Sequence, residues 1–219
     1  MLRDPVRFFR TAAGTSLLVV PVLYVAGMVV DPAIRAGGGI GYYGANPGQV
    51  SISASLLHWS WVVLVPGILG MMHLAKERTP VAAHVTGAIA VLGVINFSAL
   101  MLGDFVYSRL ERAMEPEAGS ALADLALGDP GAEFGFRIPG FLGMLFVTVL
   151  ALVMAYGKKA PWWAGPALLV GMLGAPIFPI GTAVGGLAYL AGAGVIGLRM
   201  LRMSDAEWAG QAGNLATTR

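Results

Sequence analysis

No cysteine occurs among the 219 residues, which excludes disulfides, thiolate metal sites, iron–sulfur clusters and cysteine nucleophiles together. Histidine is scarce as well, with only His58, His73 and His84. Charge is thin: 12% of the residues are Asp, Glu, Lys or Arg, against about 25% in an ordinary soluble domain. No HExxH, Walker loop, GxSxG elbow or strand-borne GxGxxG is present, so the common signatures of metalloprotease, nucleotide and hydrolase chemistry are missing. Gly37 to Gly41 is glycine-rich but follows an apolar run rather than a strand, which argues against a phosphate cradle.

What fills the chain instead is apolar. Hydrophobic residues make up 57%, with 31 glycines and 13 prolines, the composition of a membrane protein. The net charge of +2 does not point to nucleic acid, because the basic residues cluster at the ends of apolar runs instead of spreading along one face.

A charge at the bilayer centre costs at least about 2.5–3.5 kcal/mol, so spans avoid it, and a helix needs about 20 apolar residues to cross. Five charge-free gaps are long enough. They hold 20 residues between Arg10 and Asp31, 40 between Arg35 and Lys76, 25 between Arg78 and Asp104, 20 between Arg137 and Lys158, and 39 between Lys159 and Arg199. The 40-residue gap opens with loop-forming glycines and Asn46-Pro47-Gly48, leaving one helix. The 39-residue gap is divided by Pro176-Ile177-Phe178-Pro179-Ile180-Gly181, leaving two. The expected fold is therefore all-α: a polytopic six-transmembrane-helix bundle forming one domain over 1–219. Its helices are expected near 12–30, 53–75, 81–103, 138–156, 161–177 and 180–198, with long outer loops at 31–52 and 104–137.

Alternating six spans puts 10 of the 14 basic residues on one side, namely Arg3, Arg7, Arg10, Lys76, Arg78, Lys158, Lys159, Arg199, Arg202 and Arg219. The other side holds Arg35, Arg109, Arg112 and Arg137, with 8 of the 12 acidic residues. The positive-inside rule then makes both termini cytoplasmic, in the plasma or inner membrane of a prokaryote. The first span is too long for a signal-peptide core and is followed by no clear Ala-x-Ala site.

Within the 104–137 loop, Phe105 to Arg112 is expected to extend the third span, and Ser120 to Leu127 to form a short surface helix. Val65 to Met71 and Ile138 to Met144 share a Pro-Gly-x-Leu-Gly-Met core, but at different depths, so no repeat follows. Small residues recur at Gly181, Gly185, Ala188 and Gly192, and at Ala164, Ala167, Gly171 and Gly174. Such stripes let helices approach closely, either as a tight hairpin of the last two spans or as a face for self-association or for other membrane subunits. Trp162-Trp163 is an interfacial anchor, and Pro21, Pro66 and Pro166 lie inside spans, where they are expected to kink the helices.

Two groups of residues are candidates for chemistry. His73 and His84 fall at one depth on either side of the turn near residue 78, as two ligands of haem or a metal such as copper would. Met71-Met72 beside His73 adds soft thioethers. The plainer alternative is two interfacial histidines with wet polar tips. Near the opposite surface, His58, Asn96, Asp104 and Arg137 are expected to converge as a ligand-binding outer mouth, or to be spent on helix-to-helix hydrogen bonds and an ion pair. Three functional classes remain open: a non-enzymatic accessory subunit or small ligand-binding bundle, a haem- or metal-binding redox protein, and a small-molecule transporter.

Overall fold

In the computed structural model, which describes residues 4–210, every regular element among the described residues is helical. Among the described residues, five long helices form the frame: α1 (Pro5–Val30), α4 (Pro47–Ala75), α5 (Pro80–Leu100), α9 (Ile138–Tyr156) and α11 (Ile180–Arg202). Between α1 and α4 lie two single turns, α2 (Pro32–Arg35) and α3 (Tyr42–Ala45). After α5 come α6 (Leu102–Ala113), α7 (Pro116–Leu127), α8 (Pro130–Ala132) and a π turn over Glu133–Arg137 that runs straight into α9. The chain closes with α10 (Ala164–Gly174), α11 (Ile180–Arg202) and α12 (Asp205–Trp208).

Proline explains where about half of these elements begin. Pro5, Pro32, Pro47, Pro80, Pro116 and Pro130 each occupy the start of a helix, where the missing amide hydrogen is not needed and the fixed φ is already helical. Pro21 and Pro66 sit inside α1 and α4. Pro166, expected to kink a span, instead lies in the first turn of α10, where a proline costs little.

α1 packs on α4 and α11, α5 packs on α4 and α9, and α10 packs on α11 and α9. The α5–α9 crossing is the tightest. A Cβ on Gly93 would overlap the backbone of Gly143, and one on Gly143 would overlap Gly93, so the two backbones touch. The expected stripe on α11 meets α10 of the same chain: a Cβ on Gly185 would lie 2.6 Å from the Ala175 nitrogen, and one on Gly192 would lie 2.9 Å from the Ala164 carbonyl. Through the middle runs an aromatic chain, Tyr189 to Tyr24 to Trp61 to Phe97 to Phe141, with successive ring centroids 5.5, 5.5, 4.8 and 5.3 Å apart. Outward, Val22, Val85, Leu92 and Leu187 are exposed. Interior hydroxyls such as Ser16, Ser60, Ser98 and Thr86 donate to carbonyls of their own helices, so no water is needed to satisfy them.

Among the described residues, five helical runs are long and apolar enough to cross a membrane, of 26, 29, 34, 27 and 23 residues, the third being α5 with α6 and the fourth running from Pro130 to Tyr156. An integral membrane protein is compatible with these helices. The sixth expected span is shorter than expected: α10 has 11 residues, about 16 Å of helix against about 30 Å of hydrocarbon. Non-helical turns around Pro161 precede it, and Pro176 and Pro179 end it. Elsewhere the helices overrun their expected limits. α1 starts at Pro5 rather than near 12, and α4 at Pro47 rather than near 53, while α9 occupies 138–156 as expected.

The two ends of the bundle differ. At the terminal end, Arg10 pairs with Asp205 at 2.9 Å and donates to the carbonyls of Met200 and Leu201, tying the start of α1 to the end of α11. Lys159 pairs with Glu77 at 2.5 Å, joining the α4–α5 turn to the α9–α10 connection. Arg3 and Arg219, counted with this basic end from the sequence, lie outside the described residues. The opposite end, carrying α2, α3, α6 and α7, is the cap end.

Candidate functional site: an acidic cavity at the cap end

Asp31 precedes Pro32, and the residue before proline is pushed out of the helical region; its ψ of 120° ends α1. One carboxylate oxygen then caps α2, accepting from the Ile34 amide at 2.9 Å. The other accepts the hydroxyls of Tyr43 at 3.3 Å and Ser53 at 3.2 Å. Asp31 is only 2% exposed.

Tyr43 reaches Asp31 because the chain doubles back through Gly37, Gly38, Gly39 and Gly41, all with positive φ, a conformation that glycine adopts without a Cβ clash. Buried Glu111 of α6 holds this reversal in place. It accepts from the amides of Gly41 at 3.1 Å and Gly44 at 2.6 Å and from the Ser120 hydroxyl of α7 at 2.7 Å. Ser108 adds a bond to the Tyr43 carbonyl at 3.0 Å. Three donors satisfy one buried carboxylate, so the loop, α6 and α7 form one cap.

Beneath the cap lies a cavity of about 320 Å³. Its polar wall is Asp31, Tyr43 and Asp104, and its aromatic wall is Tyr24, Phe97 and Phe141. Met28, Met101, Met144 and Met172 make up half of the remainder, with Ile34, Leu57, Leu173 and Pro176. No Lys, Arg or His contributes to it. Neither Asp31 nor Asp104 has an ion pair among the described residues, and no hydrogen bond to Asp104 is found there. The Tyr43 hydroxyl is held well above the ordinary tyrosine value of 10.0, first by burial and then by the Asp104 and Asp31 carboxylates. Just behind the aromatic wall, the Trp61 indole nitrogen and the Tyr189 hydroxyl are buried without partners, while the Tyr24 hydroxyl donates to the Met172 carbonyl at 2.7 Å. A larger space of about 860 Å³ at the terminal end is rimmed by exposed side chains such as Arg199, Arg202 and Glu207 and is an open surface groove.

Of the four residues expected at an outer mouth, Asp104 lines this cavity. The His58 ring donates from Nδ1 to the Ser98 carbonyl at 3.3 Å and lines a separate apolar recess of about 370 Å³ with Trp59 and Phe105. Asn96 donates to Leu92 of its own helix at 2.8 Å, and Arg137 pairs with Glu133 at 3.2 Å on the surface. No hydrogen bond or ion pair links any of the four to another among the described residues.

The other two histidines have separate partners. The His73 Nε2 donates to the Trp208 carbonyl at 2.7 Å, and its ring stacks on Trp208 at 4.6 Å, with Phe9 edge-on. His84 is exposed, and its Nδ1 donates to the Pro80 carbonyl one turn earlier at 2.6 Å. His73 thus faces α1 and α12, while His84 is bonded within α5. Among the described residues, no group of three or more His, Asp or Glu is placed to hold a metal ion.

Asp31 and Tyr43 were not singled out from the sequence. The signal for Asp31 was its place directly before a proline at the end of an apolar run. Tyr43, inside a glycine-rich loop, carried none. No family model, no curated protein and no solved structure matches the chain.

Proposed function

We propose that this chain is a multi-pass membrane protein whose work is to bind a small molecule in the cap-end cavity, without covalent chemistry of its own. The carrying observation is the cavity itself. Side chains of α1, α4, α5, α6, α9 and α10 converge on a space at the lower end of the roughly 300–1,000 Å³ typical of ligand sites, mostly apolar with a few polar groups. Filling it tests the reading. Met144→Trp should abolish the thermal stabilisation that small amphiphilic compounds give the purified protein. A panel of cationic, neutral and anionic compounds that stabilises neither protein, or both equally, overturns it.

The same proposal has six crossings with both termini cytoplasmic. Lys159 pairs at the terminal end and Pro176 lines the cap-end cavity, so the chain between them runs from one end to the other although α10 itself is short. Arg10, Lys76, Arg78, Lys158, Lys159, Arg199 and Arg202 gather at the terminal end, which supports a cytoplasmic placement. The natural lack of cysteine makes the test simple. In intact cells a membrane-impermeant maleimide should label Glu117→Cys and not Lys76→Cys, and the reverse pattern overturns the orientation.

Transport is the second reading, favoured by one observation. The break between α5 and α6 at Met101 and the end of α10 at Pro176 both border the cavity, and discontinuous helices border substrate sites in many transporters. The redox reading draws no support from His73 and His84, whose ring contacts lie in different directions.

A further inference from the structure

We propose that the ligand of the cap-end cavity is a small organic cation, an ammonium group carrying apolar substituents; this rests on the reading of that cavity as a ligand site.

Charge comes first. Asp31 and Asp104 both line the space, no basic side chain does, and neither acid has an ion pair among the described residues, Asp31 accepting only neutral donors. Two carboxylates in a largely apolar, partly open recess repel each other and attract a cation more strongly than they would in water.

Helix ends add to this field. The cavity is lined by Met28 and Asp31 at the end of α1, by Phe97 and Met101 at the end of α5, and by Met172, Leu173 and Pro176 at the end of α10. The ends of α1 and α10 are C-terminal ends, each equivalent to roughly half a negative charge near its last carbonyls, whereas α5 continues through Met101 into α6. Against them stand the N-terminal turns of α6 and α9, the former occupied by Asp104 itself.

The walls decide the kind of cation. Tyr24, Phe97 and Phe141 line the space, and an ammonium placed over an aromatic face gains about 0.5–2 kcal/mol. Four methionines supply a deformable apolar lining. A bare metal ion would leave most of the 320 Å³ unfilled, whereas a compact ammonium with an aryl or alkyl substituent fills it.

The test uses a matched pair of probes on the purified full-length protein: benzyltrimethylammonium, and N,N-dimethylbenzamide as an uncharged compound of similar size. Calorimetric titration should show the cation binding at least about tenfold more tightly, a preference of the size one desolvated carboxylate contributes. Asp104→Asn should erase the preference without removing the residual binding of the amide. An amide that binds as tightly as the cation overturns the inference and leaves the ligand site standing. Absence of binding by both probes overturns the inference and the site together. The comparison on the unmodified protein decides the matter even if Asp104→Asn fails to fold.

Discussion

Asp31 accepts the Tyr43 hydroxyl at 3.3 Å, so the residue that ends α1 is bonded to a residue on the far side of the glycine-rich reversal. With Ser53 and the Ile34 amide, three donors depend on one buried carboxylate. Removing the acceptor leaves those donors unsatisfied, at about 1–3 kcal/mol for each group that water cannot reach. Asp31→Ala is expected to lower unfolding stability in detergent by at least about 2 kcal/mol, and Asp31→Asn by about half as much, since an amide oxygen still accepts. Equal losses for the two substitutions would show that the acceptor is not what matters.

At the α5–α9 crossing, Gly93 and Gly143 allow two backbones to touch, and a methyl group on either has nowhere to go. Gly93→Ala and Gly143→Ala are each expected to cost about 2 kcal/mol or more, the upper range for overpacking against rigid backbone. Gly48, near the start of α4, has no neighbour within 4 Å of a built Cβ, so Gly48→Ala is expected to be neutral or stabilising by about 0.4–1 kcal/mol. Thermal unfolding of the three variants side by side provides the check, and a Gly48→Ala loss matching the other two would count against the close crossing.

Charge-free runs locate the apolar helices well because a charge in hydrocarbon is costly, but they do not locate helix ends. Arg7 and Arg10 lie within the first two turns of α1, since a helix continues past the point where hydropathy stops. The 161–177 run was apolar enough for a span, yet hydropathy does not distinguish helix from the turns around Pro161 and Pro176. The candidate site was harder still. Depth along a helix follows from counting residues, whereas the direction a side chain faces depends on helix rotation, which packing sets. His73 and His84 therefore share a depth by counting and have unrelated partners. Asp104 was visible as a charge at the end of a span. Asp31 was visible only as an interfacial acid, because its partners come from α2, α3 and α4 at once.

His73 carries the docking of α12 through its bond to the Trp208 carbonyl and its ring stack. His84 bonds only within its own helix. His73→Ala is expected to cost about 1–2 kcal/mol and to expose Trp208, which is now 2% exposed, shifting its fluorescence to longer wavelength. His84→Ala is expected to stay within about 0.5 kcal/mol, as surface substitutions do. Equal effects from the two, or a visible absorption band lost in both, would instead favour a shared cofactor.

Tyr43 sets a limit on alkaline stability. Burial, then the Asp104 and Asp31 carboxylates, hold its proton more tightly in the folded protein than in the unfolded chain, where the ordinary value is 10.0. The contribution of the un-ionised hydroxyl is therefore complete below pH 10 and is lost as pH rises above it, because the unfolded state releases the proton first. From this group alone, unfolding free energy is expected to fall by up to about 1.4 kcal/mol per pH unit above that point. Tyr43→Phe removes the titration, so its stability is expected to decline less steeply between about pH 10 and 11, and its tyrosinate absorbance in the folded state to match that of the unmodified protein. A folded-state difference of one tyrosinate would mean that Tyr43 ionises like an exposed tyrosine and does not face the two carboxylates.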